Sequence, residues 1–192
     1  IVENPYSGME ETKKNKELIE ILRMKKPINY DSIKRFSSVR WADKILNADA
    51  LMASYHSKTR NCLRKFLKSK AKIITYDMSS PAFDEINFWL AEEHRKGIEK
   101  KNGMAKPSYY FESLRKYFTN DRLEIKVSYI DDEPIAGLLN FKTNNEIEYW
   151  TPVITDLGKV NNAIYGLIDN TLKDIINKEG AILNFGGSWA TQ

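Results

Sequence analysis

The segment from Leu123 to Phe185 constrains the fold most, because the spacing of its apolar residues changes in a fixed order. Apolar residues alternate with polar ones from Leu123 to Tyr129, which predicts a strand with one buried face. Residues 134–141 are apolar on both faces, as in a central strand, and residues 146–150 follow a second turn. The pattern therefore predicts three antiparallel strands joined by hairpins.

A long amphipathic helix and a final strand follow these hairpins. The helix is marked by apolar residues at helical spacing, namely Ile164, Leu167, Ile168, Leu172, Ile175 and Ile176. A right-handed crossover through this helix sets residues 181–186 parallel to a neighbouring strand. Because that strand ends at Gly186 and Gly187, it can open a crevice at the sheet edge.

The residues before these strands are predicted to be mainly helical. The segment Ser57–Ser69 places Leu63, Phe66 and Leu67 on one helical face, beside a basic stripe of Arg60, Arg64 and Lys68. Further helices are predicted near residues 12–25, from Ser80 to about Lys101 and from Ser108 to Phe118, with a short strand at residues 72–76. Residues 33–46 contain no convincing strand and are interpreted as helical.

Together these elements predict an α+β fold, with a mixed and mostly antiparallel sheet flanked by helices. The chain has 192 residues, 42% of them hydrophobic, which is enough for a core. Its net charge of +4 does not by itself demand a polyanionic partner. The lone Cys62 cannot form an internal disulfide, and no apolar run approaches the roughly twenty residues of a spanning helix, so we expect a cytoplasmic protein. Since the chain begins at Ile1 without Met, we also expect it to be part of a longer protein.

Three segments, in this order, resemble the GNAT-type acyltransferase fold and, within it, the Fem-family aminoacyl transferases, the branch that includes methicillin-resistance proteins. Residues 57–65 look like the basic helix of that branch, residues 133–137 like the start of one of its strands, and residues 180–188 like its ending. The resemblance implies a GNAT-like C-terminal domain at residues 54–192. Residues 1–53 then look like a mostly helical remnant of a degenerate first GNAT half.

The resemblance implies transfer of an aminoacyl or other acyl group from an activated donor, such as aminoacyl-tRNA, to an amine. The acceptor would be a cell-wall precursor or another amine-bearing small molecule. Acetyl-CoA is less expected, because Asp156 would cap the helix N–H groups that a pyrophosphate needs, and the segment holds a single glycine, Gly158. No bound cofactor is predicted. An acetyl-CoA-dependent N-acetyltransferase remains an alternative.

As the resemblance implies, the acyl carbonyl would be held by backbone N–H groups at a distortion in the strand Glu146 to Val153, where Pro152 suits a break in the ladder. Glu148 is the candidate acceptor of the amine proton, and Tyr149 the candidate donor to the leaving group. The alternatives are an exposed strand carboxylate and a core aromatic residue. Asn184 lies in an apolar strand, so its amide must be hydrogen-bonded to backbone or ligand.

The candidate substrate-binding residues fall into two groups. Lys58, Arg60, Arg64 and Lys65 have the charge to bind phosphates of a nucleotide-linked acceptor or of a tRNA end, although such stripes are more often merely solvated. Trp150, Ser188 and Trp189 are candidates for the crevice mouth. A third hypothesis is a non-catalytic module that binds nucleic acid through the basic helix at residues 58–72. One cysteine and two scattered histidines give no metal-ligand spacing.

Overall fold

The computed structural model describes residues 35–42, 45–119, 121–143 and 145–189. The chain divides into two compact units, one of residues 1–38 with 186–192 and one of residues 39–185. The second unit carries almost all of the described elements. The predicted helix near residues 12–25 lies outside the described residues.

Six strands form a single sheet in the described part of the chain. They are β1 (Arg35–Trp41), β2 (Lys72–Asp77), β3 (Leu123–Ile130), β4 (Glu133–Lys142), β5 (Glu146–Ile154) and β6 (Ile182–Trp189). Their order across the sheet is β1-β6-β5-β4-β3-β2. Strands β2 to β5 pair antiparallel with their neighbours, whereas β5 and β6 are parallel. The predicted hairpins and the parallel final strand are confirmed.

The helices lie between the strands in sequence. They are α1 (Ala48–Ser54), α2 (Ser57–Lys68), α3 (Phe83–Glu99), α4 (Ser108–Tyr117), α5 (Asp156–Val160) and α6 (Ala163–Lys173). Helix α3 begins later than the predicted Ser80, because the Asp77 carboxylate accepts hydrogen bonds from the backbone N–H groups of Ser79 and Ser80 at 2.9 and 3.1 Å. These bonds hold a turn ahead of the helix. None of the helices in the described ranges is long and apolar enough to cross a membrane.

Helices cover both faces of the sheet. Helices α3 and α4 pack on one face, through a core cluster that includes Phe83, Leu90, Phe111, Val127 and Leu139. Helices α2 and α6 pack on the other, through Leu63, Phe66, Leu138, Ala163 and Leu167. The α2–α6 contact is close, since a Cβ added at Gly166 would lie 2.2 Å from the Phe66 ring. Leu67, predicted to share the buried face of α2, is 57% exposed instead, since Leu63 and Phe66 alone turn towards α6.

The helical interpretation of residues 33–46 is wrong for Arg35–Trp41, which form β1. Their local sequence gives little sign of a strand, because the pairing partner, β6, comes from far along the chain. The backbone continues beside that partner, and Ala42 N donates to Ala181 O at 2.8 Å. The division into domains at residues 53 and 54 stays a prediction; Leu51 of α1 packs in one cluster with Leu172 and Leu183.

Strand β3 also differs from its prediction, since both of its faces are buried rather than one. The polar residues Glu124 and Lys126 lie on the face that α6 covers. Lys126 is 1% exposed, and its Nζ donates to Asp174 Oδ2 at 2.5 Å and to Asn170 Oδ1 at 2.7 Å. The Glu124 carboxylate accepts from Asn140 and from Lys142. Because each of these charges has hydrogen-bonded partners, charged residues can lie on a buried face of this strand. The alternation of polar and apolar residues therefore does not indicate an exposed face here.

Candidate functional site

Strands β5 and β6 are neighbours in the sheet and pair in parallel. Within residues 39–185 the paired positions are Glu146 with Ile182, Ile147 with Leu183 and Glu148 with Asn184. The next two residues, Tyr149 and Phe185, meet through their rings, whose centroids are 5.7 Å apart. The sequence predicted a crevice between these two strands, and that crevice stays a prediction.

A β-bulge interrupts β5 directly after Tyr149. Thr151 pairs with Leu139 and Tyr149 pairs with Asn140, so Trp150 is an extra residue without a partner on β4. The sequence suggested Pro152 as the break, but Pro152 pairs in register with Leu138. A bulge bends the strand and leaves the backbone of the extra residue outside the ladder. The distortion that the resemblance implied is therefore present and lies at Trp150.

Glu148 and Tyr149 lie on opposite faces of the sheet, as successive strand residues do. Burial, with a smaller effect from the Glu146 carboxylate, raises the pKa of Glu148 above its ordinary value. Tyr149 packs in the core clusters beneath α6, and burial raises its pKa to about 12. At neutral pH the phenol therefore keeps its proton. Their assignment as proton acceptor and proton donor stays a prediction.

Asn184 pairs with Glu148 across the β5–β6 ladder and is 3% exposed. Its Nδ2 donates a hydrogen bond of 2.7 Å to Glu146 Oε1. From the sequence, this amide was expected to form a hydrogen bond with the backbone or with a ligand. In the structure it donates to a side-chain carboxylate on the neighbouring strand. This contact links the two strands through their side chains.

Two residues beside the bulge were not singled out from the sequence. Lys106, in the loop between α3 and α4, donates from Nζ to Thr151 Oγ1 at 3.0 Å. The same Nζ lies 4.7 Å from the ring centroid of Tyr110 and 4.8 Å from that of Trp150. Trp150 in turn donates from Nε1 to the Tyr110 hydroxyl. A lone lysine between a loop glycine and Pro107 gives no periodic signal, so only the fold reveals this cluster.

The Lys106 ammonium is only partly exposed, and burial lowers its pKa. No carboxylate in the described ranges forms an ion pair with it. Burial, with a smaller effect from the Lys106 charge, also lowers the pKa of nearby His94, which packs against Phe111 with ring centroids 5.7 Å apart. A cavity of about 240 Å³ adjoins His94 and is lined by Lys96, Lys100, Lys101 and Lys159. Of these lysines, Lys96 is paired with Glu93, and both Lys100 and Lys159 are paired with Asp156.

The basic helix α2 lies on the other face of the sheet, packed against α6. Arg60 donates from Nη1 to Tyr55 O at 2.5 Å and to Ala53 O at 3.3 Å, which ties the end of α1 to α2. Arg64 is exposed and donates to Asn61 Oδ1 at 3.1 Å. Lys58 and Lys65 are exposed as well.

The structure thus brings Glu148, Asn184 and Trp150 together, with Tyr149 on the reverse face. It does not place the basic residues of α2 beside them. Ser188 and Trp189 lie in β6. Binding of substrate by any of these residues stays a prediction.

Thr155 caps the short helix α5, and not Asp156 as the sequence suggested. The Thr155 Oγ1 accepts from Gly158 N at 3.1 Å, whereas Asp156 forms an ion pair with Lys159 at 2.6 Å. Threonine at this position satisfies a helix N–H group in the same way as the expected carboxylate. In the ranges that the structure describes, no group of three or more His, Cys, Asp or Glu side chains is arranged to hold a metal ion.

No family model and no curated protein matches this sequence. Among solved structures, the chain is similar to FemX, with a TM-score of 0.68 and 13% identity over 81% of this chain and 54% of that one. It is also similar to the C-terminal domain of a putative lysylphosphatidylglycerol synthetase from Agrobacterium fabrum, with a TM-score of 0.50 and 12% identity over 83% of this chain and 49% of that one. A conserved protein of unknown function from Bacteroides thetaiotaomicron gives a TM-score of 0.50 at 12% identity, over 88% of this chain and 57% of that one.

The chain spans about half the length of the first two of these structures, 54% and 49%. At such identities the similarity shows the fold alone. The described chain has a GNAT-like fold, a mixed sheet flanked by helices on both faces.

Proposed function

We propose that this protein is an acyltransferase that moves an aminoacyl group from an activated donor, such as aminoacyl-tRNA, to the amine of a small-molecule acceptor. The observation that carries the proposal is the bulge at Trp150, close to the positions where β5 pairs with β6. Backbone groups outside the ladder at this point are suited to hold an acyl carbonyl. The similarity to FemX in fold supports the same class of reaction.

In the proposed reaction a neutral amine attacks the carbonyl carbon of the donor ester. The new C–N bond forms, the ester C–O bond breaks, and the amine proton passes to the Glu148 carboxylate. The Tyr149 phenol, which stays protonated at neutral pH, protonates the leaving oxygen and regains a proton from water. Glu148 returns its proton to water. Positioning of the two substrates alone can remove about 7–11 kcal/mol of the barrier, so modest proton transfer suffices.

Lys106 is the proposed binding group for an acidic acceptor. Its ammonium is half-buried beside Trp150 and has no carboxylate counter-ion within the described ranges. A carboxylate or phosphate of the acceptor would supply that counter-ion, and the Tyr110 and Trp150 rings would fix the direction of approach. A cell-wall precursor with acidic groups fits this requirement.

The helix after β5 favours an aminoacyl ester over acyl-CoA as the donor. Helix α5 has five residues, and its Gly158 N–H already bonds to the Thr155 hydroxyl. A CoA pyrophosphate is usually held by free N–H groups at a longer helix start. We expect weak or no binding of acetyl-CoA in calorimetry.

The test uses the full-length protein with radiolabelled donors. Transfer of label from a mixture of aminoacyl-tRNAs to acidic amine acceptors is expected, and transfer from acyl-CoA is not. Glu148→Gln should abolish most of the transfer, while Glu133→Gln, a matched change at an exposed carboxylate at the start of β4, should not. Absence of turnover with every donor and acceptor pair would overturn the proposal.

A second candidate function rests on helix α2. Lys58, Arg64, Lys65 and Lys68 are exposed there, and α2 contains no acidic residue. If the protein is a non-catalytic nucleic-acid-binding module, the affinity for RNA should fall steeply with salt and depend on Arg64. Substitution of Glu148 should then have no effect.

A further inference from the structure

The two acidic side chains at the start of β5 lie on the same face of the strand, because Glu146 and Glu148 are two residues apart. Asn184 is the paired residue of Glu148 on β6, and its amide bonds to Glu146 rather than to Glu148. The amide thus holds one carboxylate in place beside the other. Glu146 forms no ion pair with a described lysine or arginine, because nearby Lys142 is paired with Glu124 at 3.0 Å.

We propose that Asn184 is a positioning residue of the transfer site: its amide fixes the Glu146 carboxylate beside Glu148, and this fixed charge helps to make Glu148 the group that accepts the amine proton. The proposal rests on the proposed acyl transfer. Asn184 itself does not exchange a proton with substrate. It acts through Glu146, and Glu146 acts on Glu148 through its charge.

Two independent features support this arrangement. The hydrogen bond of 2.7 Å has the length of a charge-assisted bond, as expected for an amide that donates to an ionised carboxylate. The charge of Glu146 also contributes, after burial, to the raised pKa of Glu148. A carboxylate whose pKa is raised towards the working pH is a better general base than an ordinary one.

Other titratable groups lie near one or the other of these two carboxylates. Tyr110 of α4 is close enough to Glu148 for the Glu148 charge to contribute to the raised pKa of the Tyr110 phenol, after burial. Glu146 lines a cavity of about 170 Å³ together with Glu124, Lys142, Asp174 and Lys178. Of these, Glu124 is paired with Lys142 and Asp174 with Lys126. Lys178 is the remaining cation of that cavity, and a Lys178→Gln variant measures its effect on Glu146.

The test is a double-mutant cycle that needs no turnover. The pKa of Glu148 is measured by NMR of carboxyl-labelled glutamate in the full chain, for the wild type, Glu146→Gln, Asn184→Leu and the double variant. Glu146→Gln removes the charge and keeps the side-chain volume, so the pKa of Glu148 should fall. Asn184→Leu should change the pKa of Glu148 in the wild-type background, and this change should disappear when residue 146 is glutamine.

Lys178→Gln is the control for general electrostatics and should leave the Asn184 effect unchanged. If Asn184→Leu does not fold, the Glu146→Gln measurement alone still tests the charge effect, since that variant conserves shape. An Asn184→Leu effect of equal size in both backgrounds, or no change of the Glu148 pKa in Glu146→Gln, would overturn the proposal. Failure of acyl transfer with these pKa changes intact would reject the proposed function but not the coupling.

Discussion

The Lys106 Nζ lies 3.0 Å from Thr151 Oγ1, so a loop ammonium is held against the residue that follows the bulge in β5. This contact joins the α3–α4 loop to the strand that carries Glu148. The bonded threonine and the two flanking rings leave the ammonium in a fixed position, at which an acidic ligand would gain from a preorganised charge.

Replacing Lys106 by Met should weaken binding of an acidic acceptor. A hydrogen bond to a charged group contributes about 1.5–3 kcal/mol, which corresponds to a roughly ten- to hundredfold rise in KM. The value of kcat should change less, because Lys106 is proposed to bind the acceptor and not to exchange a proton with it. Steady-state kinetics with acidic and neutral acceptors measure this effect. Lys116→Met, an exposed change on α4, is the matched control; equal losses in both variants would contradict the role of Lys106.

Glu148→Gln should lower kcat by roughly 10²- to 10⁴-fold, the usual contribution of a general base. Because the pKa of Glu148 is raised, the wild-type rate should fall as the pH falls through that raised value. The acidic limb of the pH profile should therefore lie at higher pH than an ordinary glutamate would give. An acidic limb that is unchanged in Glu148→Gln would show that another group titrates.

The raised pKa of Glu148, which should help catalysis, should lower the stability of the folded protein at neutral pH. A carboxyl group whose pKa is raised on folding binds its proton more tightly in the folded state, so its ionisation costs stability as the pH rises through the folded value. Glu148→Gln should therefore raise the free energy of unfolding at neutral pH. The gain should vanish below the ordinary glutamate pKa. Urea denaturation at both pH values measures it, and a loss of stability at neutral pH would contradict the assignment.

Two glycine substitutions should have opposite effects. Gly166→Ala places a Cβ 2.2 Å from the Phe66 ring at the α2–α6 contact, so it should destabilise the fold by about 1–3 kcal/mol. Gly97 lies in α3, and a Cβ added there would meet no heavy atom within 4 Å other than those of its chain neighbours and of the backbone of α3 itself. Gly97→Ala should stabilise by about 0.5–1 kcal/mol, because glycine costs entropy inside a helix. Thermal unfolding of both variants checks the pair, and equal effects would be inconsistent with the α2–α6 packing.

The two arginines of α2 should separate a structural role from a binding role. Arg60→Ala removes the hydrogen bonds to the Tyr55 and Ala53 carbonyls and should cost about 1.5–3 kcal/mol of stability. Arg64→Ala should change stability by less than about 0.5 kcal/mol. If α2 binds nucleic acid, Arg64→Ala should reduce the salt dependence of binding in filter or fluorescence assays. A stable Arg60→Ala variant would show that the α1–α2 connection does not need this side chain.

The sequence predicts well those strands and helices whose own pattern of apolar residues shows which faces are buried. Strand β4 is apolar on both faces, and helix α6 carries a continuous apolar stripe, so both are evident from spacing alone. Strand β1 could not be predicted in this way, because its pairing partner, β6, comes from far along the chain. Strand β3 was assigned one exposed face because Glu124 and Lys126 are charged, but Glu124 is paired with Lys142 of β4 and Lys126 with Asp174 at the end of α6.

The residues of the candidate site also differ in whether the sequence alone can predict their place. Glu148 and Asn184 were proposed from their place in the predicted strands, and the fold sets them opposite each other. The position of the bulge depends on how β4 and β5 align, which local sequence does not specify, and so Trp150 was not identified as the extra residue. Lys106 reaches the site only through the packing of α3 and α4.

Because adjacent residues of β5 point to the two sides of the sheet, the proposed base Glu148 and the proposed acid Tyr149 would reach an acyl group from opposite sides of the strand. In the proposed reaction the amine would approach from the Glu148 side while the acyl group lies at the bulge, and the acyl group would never be attached to the protein. An enzyme of this design would form a ternary complex with both substrates and would show sequential, not ping-pong, kinetics.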